Sequence, residues 1–455
     1  MQVQAWLERA AAMAPSATAI EAPDGKLSYL ELLGAARAGS LALRERGVRP
    51  GQRVAIALAP SAAFAQALHA CMLLGAVAVP VDVRLTAQER ARIASGCCAL
   101  VEEPLAGGRH GVGERAMAPT SAGSPPGVRG AAGEPTCHDL DAVAVVIHTS
   151  GTTSAPRPVE LTYGNLLWSA LGSAVALGLD PEERWLCALP LSHVGGLSIL
   201  LRSAIYATTA VIHERFEVQR ALACLSSERI TLVSLVSTTL SRLLDAGLRD
   251  PPHLRCALTG GGPVPPALAQ RARAAGVPVS ETYGLTECCS QAATAPPGAH
   301  GAGAPLFCTR IRIAADGEIL VAGPTVAPGA VRSDGWLHTG DLGRLDDHGM
   351  LHVSGRKADT IVTGGENVSP AEVEQVIESH PAVLEAAVVG REDREWGEAV
   401  SAIVVLAPGC HVEQADLREH CAAALATFKV PKRFTLVSDP LPRTRSGKLL
   451  RRELR

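Results

Sequence analysis

Short apolar runs rich in β-branched residues alternate with longer stretches of helical pattern through most of the chain. That alternation predicts an α/β fold with parallel strand pairing. Arg53–Leu58, Val77–Val81, Ala142–His148, Trp185–Pro190, Thr209–Ile212, Ile230–Val236 and Leu254–Thr259 read as strands, and Val277–Glu281 as another. Ser28 with Glu31 three residues on forms a capping box for a helix through Leu43. An alanine-rich helix is expected over Ala62–Leu74, a further one to about Leu177, and one through Arg202. Ser369-Pro370-Ala371-Glu372 repeats a helix start: a cap, proline at the first position, and a glutamate reaching back.

Two interruptions divide this pattern. Residues 104–136 hold eight glycines and five prolines in 33 positions with no periodicity, and read as a low-complexity surface excursion. Gly355-Arg356-Lys357-Ala358-Asp359 is polar and charged, and a boundary is expected there. The division is then 1–354 and a compact unit over 355–455.

Composition narrows the function. With 455 residues, 47% hydrophobic and 19% charged, the chain can bury a large core. A net charge of −3 offers no footprint for nucleic acid or an anionic membrane. The twelve cysteines include no Cys-x-x-Cys pair, so reduced, mostly buried thiols are expected. Charges near Met1 stand where a signal peptide needs its apolar core. No apolar run approaches the roughly 18 residues of a membrane span, and a cytoplasmic location is expected. Only five of the 42 basic residues are lysine: Lys26, Lys357, Lys429, Lys432 and Lys448.

Candidate chemistry gathers where strands end. After the 142–148 run come Thr149, Ser150, Gly151, Thr152, Thr153, Ser154, Ala155, Pro156 and Arg157, five hydroxyls with one glycine and one cation. Such a loop offers donors and close backbone approach to a phosphate chain, and it also suits a plain surface turn. It is not a Walker loop, since no lysine follows a glycine at that spacing. His193, ahead of Gly195 and Gly196, either lines a cleft or is a satisfied structural histidine. Gly260, Gly261 and Gly262 present bare backbone to a flat ring. Thr282-Tyr283-Gly284-Leu285-Thr286-Glu287 sets an aromatic and two hydroxyls beside a carboxylate that suits Mg²⁺ or is simply solvated. Thr339-Gly340-Asp341 is read as a turn whose aspartate accepts from vicinal hydroxyls. Pro442–Lys448 carries a lysine on a glycine-bearing segment.

Taken together these motifs resemble the adenylate-forming superfamily of acyl-CoA synthetases, peptide-synthetase adenylation domains and beetle luciferases. The resemblance runs from about Trp6 to the C-terminus, excluding 104–136. It rests on Thr149–Arg157, Tyr283–Glu287, Thr339–Asp341, Gly355–Pro370 and Pro442–Lys448 in the family's order. Within the superfamily, Leu189–Arg202, Ser234–Leu244, Gly260–Pro263 and Gly284–Gln291 are most similar to the o-succinylbenzoate–CoA ligases of menaquinone biosynthesis. The fold implied is a large N-terminal domain of stacked α/β sheets followed by a small mobile α+β domain.

The activity implied is attack of a carboxylate on the α-phosphorus of ATP, then displacement of AMP by coenzyme A, with Mg²⁺ assisting. By the same resemblance Lys448 bridges carboxylate and α-phosphate, Thr286 contacts that phosphate, and Glu287 holds Mg²⁺. Ser150–Ser154 and Arg157, with Thr149, take the outer phosphates. Gly260–Gly262 and Tyr283, with Thr282, hold adenine, and Asp341 and Arg356 take the ribose. His193 closes the acyl pocket, Gly364 and Gly365 line the thiol tunnel, and Thr238, Arg242 and Ser290 are candidates for a second substrate carboxylate. Departures from the family's pattern are Ser154, Arg157 and Pro158 in the phosphate loop and Ala358 at the hinge. Partners are therefore small molecules, with no nucleic acid, no transmembrane segment and room for a homodimer. Another acyl- or aryl-CoA ligase, a stand-alone adenylation enzyme serving a carrier protein, and an inactive nucleotide-binding homologue remain as alternatives.

Overall fold

The computed structural model describes residues 1–105, 136–149, 157–299, 301–443 and 449–454. Two compact units divide the chain, one of residues 1–170 with 179–215 and one of residues 171–178 with 216–455.

The first unit is built on two sheets. In one, Ala99–Val101, Arg53–Ile56, Val77–Pro80 and Val143–Thr149 run parallel, and Arg157–Thr162 closes the edge antiparallel. In the other, Arg184–Cys187, Thr209–Ile212 and Thr18–Ala22 are parallel, with Gly25–Ser28 antiparallel beyond them. The helix Tyr29–Glu45 begins in the expected box: Glu31 accepts from the Ser28 amide at 2.8 Å and its own amide donates to Ser28 Oγ at 3.3 Å. Ala62–Leu74 matches its expected span, capped by Ser61 and stopped by Gly75 in the left-handed region at φ 71°. Eleven of its residues, from Ala62 through Met72, are buried, which is why its pattern is apolar all round rather than striped.

The low-complexity excursion begins and ends inside packed structure. Leu105 is only 1% exposed, and its carbonyl accepts from Gln66 Nε2. At the far end the Thr136 amide donates to Glu8, and Cys137–Asp139 pairs with Gln2–Gln4. The anchored ends therefore fall inside the expected 104–136 bounds, and residues 106–135 lie outside the described part.

In the second unit, Leu232–Leu235, Cys256–Thr259 and Val279–Tyr283 pair in parallel, followed by the antiparallel Ala293–Thr294 and Ala304–Pro305. Four antiparallel strands follow: Arg310–Ile313, Glu318–Ala322, Leu337–Leu345 and Leu351–Arg356. A last sheet contains Ile361–Thr363, Glu366–Val368, Val383–Asp393, Gly397–Leu406 and Arg433–Val437. Helices Pro370–Glu378 and Gln414–Ala424 pack on it around Val373, Ile377, Val388, Val404, Leu417 and Phe434.

Two local expectations are corrected here. Proline does open the helix Pro370–Glu378, but the capping box is absent. Ser369 Oγ donates to the Ser354 carbonyl instead, and Glu372 takes Lys429 Nζ at 2.6 and 2.8 Å. An ammonium, which adds an opposite charge to its hydrogen bonds, outcompetes the uncharged amide of the cap for the Glu372 carboxylate. Asp341 lies within the strand Leu337–Leu345, not in a turn. The apolar alternation in that stretch is masked by Gly340 and Gly343, and Gly343 has the carbonyl of His352 2.6 Å from where a Cβ would stand.

Every cysteine is free, and seven of the twelve are buried. Among the described residues no helix is long and apolar enough to cross a membrane. Each described lysine is engaged. Lys26 pairs with Glu21 at 2.9 Å, Lys357 with Asp316 and Glu318 at 2.5 and 3.2 Å, and Lys429 with Glu372. Lys432 Nζ stands 3.4 Å over the Trp396 ring.

Candidate active site

In the first unit the hydroxyl-rich stretch is closed at its base by a strand pair. Thr149 stands opposite Arg157 in the antiparallel register, and its hydroxyl donates to the Arg157 carbonyl at 3.3 Å. Arg157 itself is exposed. Ser150, Gly151, Thr152, Thr153 and Ser154 lie outside the described residues.

His193 follows the strand Arg184–Cys187 by six residues and occupies the cap position of the helix Val194–Tyr206. Its carbonyl takes the amides of Gly196 and Leu197, while its ring makes no capping bond. The glycine after it is forced: a Cβ on Gly196 would stand 2.5 Å from the Pro190 carbonyl oxygen. Burial pushes the Asp82 carboxyl up, but the fork of Arg84 and the nearby His193 ring outweigh it and hold the group below the ordinary carboxylate range.

In the second unit the expected nucleotide residues fall on adjoining strand ends. A Cβ on Gly260 would meet the Thr282 methyl at 2.7 Å, Gly261 sits at φ 79°, and Gly262 has open space. The chain can therefore cross the end of Val279–Tyr283 only with bare backbone. The Thr282 hydroxyl is already used inward, donating to the Ala293 carbonyl at 2.9 Å beside Thr294 Oγ1 at 3.0 Å.

Tyr283, Asp341 and Arg356 come together. The Tyr283 phenol donates to Asp341 Oδ2 at 2.8 Å, and Arg356 Nε approaches Asp341 Oδ1 at 2.6 Å. Strand register sets Arg356 directly opposite Asp341, and the Asp341 amide donates to Thr339 Oγ1 at 3.0 Å. Burial, with the Asp341 charge adding to it, raises the Tyr283 phenol far above its ordinary value, so it stays a donor. Sequence reading named all three residues but missed the link from Tyr283 to Asp341.

Gly284 to Ser290 is a tight reversal. A Cβ on Gly284 would lie 1.6 Å from the Ser290 carbonyl oxygen, and Cys289 and Ser290 take φ of 57° and 89°. The reversal carries the short helix Thr286–Cys288, whose Glu287 carbonyl accepts from the Ala327 amide at 2.8 Å. The Glu287 side chain is half-buried and makes no hydrogen bond or ion pair among the described residues. No group of three or more His, Cys, Asp or Glu gathers among them either. A lone available carboxylate suits Mg²⁺, which keeps waters and phosphate oxygens as its other ligands.

The remaining candidates are dispersed. Thr238 is half-buried on the helix Ser237–Asp245, and Arg242 on the same helix is exposed, its guanidinium 5.4 Å from the Phe216 ring centre. Gly364 and Gly365, at φ 58° and 85°, form the two-residue turn between Ile361–Thr363 and Glu366–Val368. The Gly364 amide donates to the Trp396 carbonyl at 2.8 Å, and a Cβ there would meet the Trp396 ring. Lys448 lies outside the described residues.

Glycine backbone against a strand end, a buried aspartate held by a phenol and a guanidinium, and an available carboxylate define a nucleotide-dependent enzyme of the adenylate-forming class. Residues 7–330 match the family model of AMP-binding enzymes and residues 372–448 that of the AMP-binding enzyme C-terminal domain, and the chain belongs to this family. It is similar to the 2-succinylbenzoate–CoA ligase of Bacillus licheniformis, 38% identical over 99% of this chain and 98% of that protein. The ligase of Bacillus subtilis is 39% identical over 99% and 97%. A solved structure of o-succinylbenzoate CoA synthetase from Bacillus subtilis, in complex with the acyl-adenylate intermediate, superposes with a TM-score of 0.86. It is 37% identical and covers 100% of this chain and 98% of the other. Another structure of that synthetase, with ATP and magnesium ion, gives a TM-score of 0.85 at 36% identity, covering 100% of both chains.

Proposed function

We propose that this chain is an AMP-forming acid–thiol ligase that converts o-succinylbenzoate, ATP and coenzyme A into o-succinylbenzoyl-CoA, AMP and pyrophosphate. The observation that carries this reading is likeness to 2-succinylbenzoate–CoA ligases over 99% of the chain, through both matched family segments. The working division is 1–354 and 355–455, and the reaction belongs to menaquinone biosynthesis in the cytoplasm.

A carboxylate is a poor acyl donor because oxide is its leaving group. Attack of its oxygen on the α-phosphorus of ATP forms the C–O–P anhydride and expels pyrophosphate. The thiol of coenzyme A then adds to the activated carbonyl, and AMP leaves with the former carboxylate oxygen. The first step brings an anion onto a polyanion, so the site must supply positive charge where it is needed. Lys448 is assigned that charge as a compact ammonium, which an arginine cannot imitate. Bound at Glu287, Mg²⁺ supplies Lewis-acid charge to the phosphates.

Thr286 is assigned to the α-phosphate, and Thr149 through Ser154 with Arg157 to the outer phosphates. The Tyr283 ring, its tilt fixed by the bond to Asp341, and Gly260–Gly262 are assigned to adenine with Thr282. Asp341 and Arg356 are assigned to the ribose. His193 is assigned to the acyl pocket, Thr238, Arg242 and Ser290 to the second carboxylate, and Gly364 with Gly365 to the thiol path.

Pyrophosphate release decides the matter. With o-succinylbenzoate and ATP alone, about one equivalent should appear; adding coenzyme A should give continuous turnover. Faster release with a monocarboxylic aryl acid would remove the substrate, and turnover only with a carrier protein would remove the thiol. Sedimentation equilibrium of the purified chain decides whether it assembles as a homodimer.

A further inference from the structure

One face of the first unit's five-stranded sheet carries a cationic cavity that the ligase reading does not use. Register sets Val146 opposite Glu160, and the period of two along the strand brings His148 to the same face. Val77, Val79 and Val146 form an apolar floor there. Ile93, from the helix Ala87–Ala94, and Cys97, from the turn after it, pack on that floor. Beside them lies a cavity of about 170 Å³, lined by Arg53, Arg92, Ser95, Gly96, Cys97 and His148. Arg92, Ser95 and Gly96 are exposed, so the cavity opens to solvent at the helix end.

The donors around this cavity exceed the acceptors. Arg53 bonds Glu160 through Nη2, and its Nε and Nη1 meet no acceptor among the described residues. The Arg92 side chain makes no hydrogen bond or ion pair among them. His148 Nδ1 is buried with no partner, a cost to the fold unless something arrives to satisfy it. Burial and then the Arg53 charge hold His148 below its ordinary value, so the ring is neutral while the cavity is empty. Glu160 offsets one cation. The C-terminal end of the helix disfavours an anion, and Arg92 in its last turn offsets that. An entering dianion meets the open edge of the Arg53 fork and the Arg92 guanidinium, and its charge favours a protonated His148, which gives Nδ1 its acceptor. Guanidinium forks match the oxygens of a tetrahedral phosphate; chloride has no oxygens with which to span the two.

We propose that this cavity binds a phosphate dianion, free or as the terminal phosphoryl group of a small molecule, between Arg53, Arg92 and His148. The site is separate from the loop assigned to the outer phosphates of ATP. Thr149 and Arg157, which close that loop's base, stand opposite each other one residue out of phase with His148 and so face the other side of the sheet. The proposal holds whichever acid the enzyme activates.

Calorimetric titration of the full chain with inorganic phosphate tests this, at constant ionic strength and without nucleotide or magnesium. One site per chain is expected. Arg92→Ala, which breaks no contact, and Arg53→Met should each weaken binding about 10–100-fold, the loss of a charge-assisted hydrogen bond. Arg157→Ala should leave phosphate affinity unchanged. His148→Leu removes the orphaned nitrogen, so its denaturant midpoint in phosphate-free buffer should equal or exceed the parent's, while the rise that phosphate gives the parent should be lost. If Arg53→Met fails to fold with Glu160 unpaired, Arg92→Ala and His148→Leu carry the test. Pyrophosphate bound as tightly through the same residues identifies a carried phosphoryl group as the ligand; weaker binding identifies free phosphate. No saturable binding at millimolar phosphate, or chloride or succinate bound as tightly, overturns the proposal. Affinity lost in Arg157→Ala and kept in Arg92→Ala overturns it too, by placing the anion in the loop assigned to ATP.

Discussion

The phenol of Tyr283 and the carboxylate of Asp341, 58 residues apart in the chain, are joined by a 2.8 Å hydrogen bond. It ties the end of the parallel strands to the antiparallel sheet that follows them. A ring whose hydroxyl is pinned cannot swing, so its orientation is set by the fold itself.

Tyr283→Phe keeps the ring and removes the pin. A hydrogen bond to a charged group contributes about 1.5–3 kcal/mol to the fold, so the denaturant midpoint should drop, and if the ring lies on adenine as proposed, affinity for AMP, measured by calorimetry, should fall as well. An unchanged AMP affinity would show that the ring's orientation does not depend on Asp341.

Gly284→Ala puts a methyl carbon where the Ser290 carbonyl oxygen already is. Backbone must move, and the Thr286–Cys288 helix moves with it. Overpacking of this kind costs about 1–3 kcal/mol or more, and the Mg²⁺ concentration for half-maximal adenylation should rise with it through Glu287. A variant with parental denaturant midpoint and parental Mg²⁺ dependence would mean that the reversal yields freely.

Arg242→Ala tests the second substrate carboxylate. The guanidinium is exposed and rests beside Phe216, where an isolated cation–π contact contributes about 0.5–1 kcal/mol, so the fold should barely notice its loss. If Arg242 holds the carboxylate, kcat/KM for o-succinylbenzoate should drop about 10–100-fold while benzoates lacking that group are unaffected. Parental kcat/KM would leave Arg242 as a partner of Phe216 alone.

Glu378 gives a pH signature. Burial pushes its carboxyl up to about 7 from an ordinary 4.5, Glu374 and Glu385 add to the push, and the Ala386 amide and Arg443 oppose it. Between those values the folded protein holds a proton that the unfolded chain has released, so stability falls as pH rises through the window. Glu378→Gln removes that loss. Its denaturant midpoint should exceed the parent's at pH 8, by at most about 3 kcal/mol of stability, with the gap closing toward pH 5. A gap independent of pH would mean that Glu378 does not titrate there.

What the sequence disclosed depended on distance along the chain. The Ser28–Glu31 box and the Ala62–Leu74 helix are written in neighbouring residues, and both formed as expected. The strand runs were legible for the same reason. Glu372 was misread because its partner, Lys429, is 57 residues away; the local pattern offered Ser369 and nothing announced the competitor. The Tyr283–Asp341 link and the Arg451–Glu374 pair, 77 residues apart, are products of sheet register and carry no local signal. The stretches proposed to hold a nucleotide were legible in their residue types, their roles were drawn from family likeness, and their mutual geometry carried no local signal.

The engagement of the lysines has a chemical consequence. An acyl-adenylate is an acylating agent, and free amines are its natural side targets. Guanidinium groups stay protonated and are poor nucleophiles at any ordinary pH. In this chain 37 of the 42 basic residues are arginine. Lys26, Lys357 and Lys429 are held by carboxylates and Lys432 by an indole; each must give up its contact and its proton before a lone pair is available. A mixed anhydride that escapes before thiolysis therefore meets few lysine amines on this chain, and the four among the described residues are already engaged.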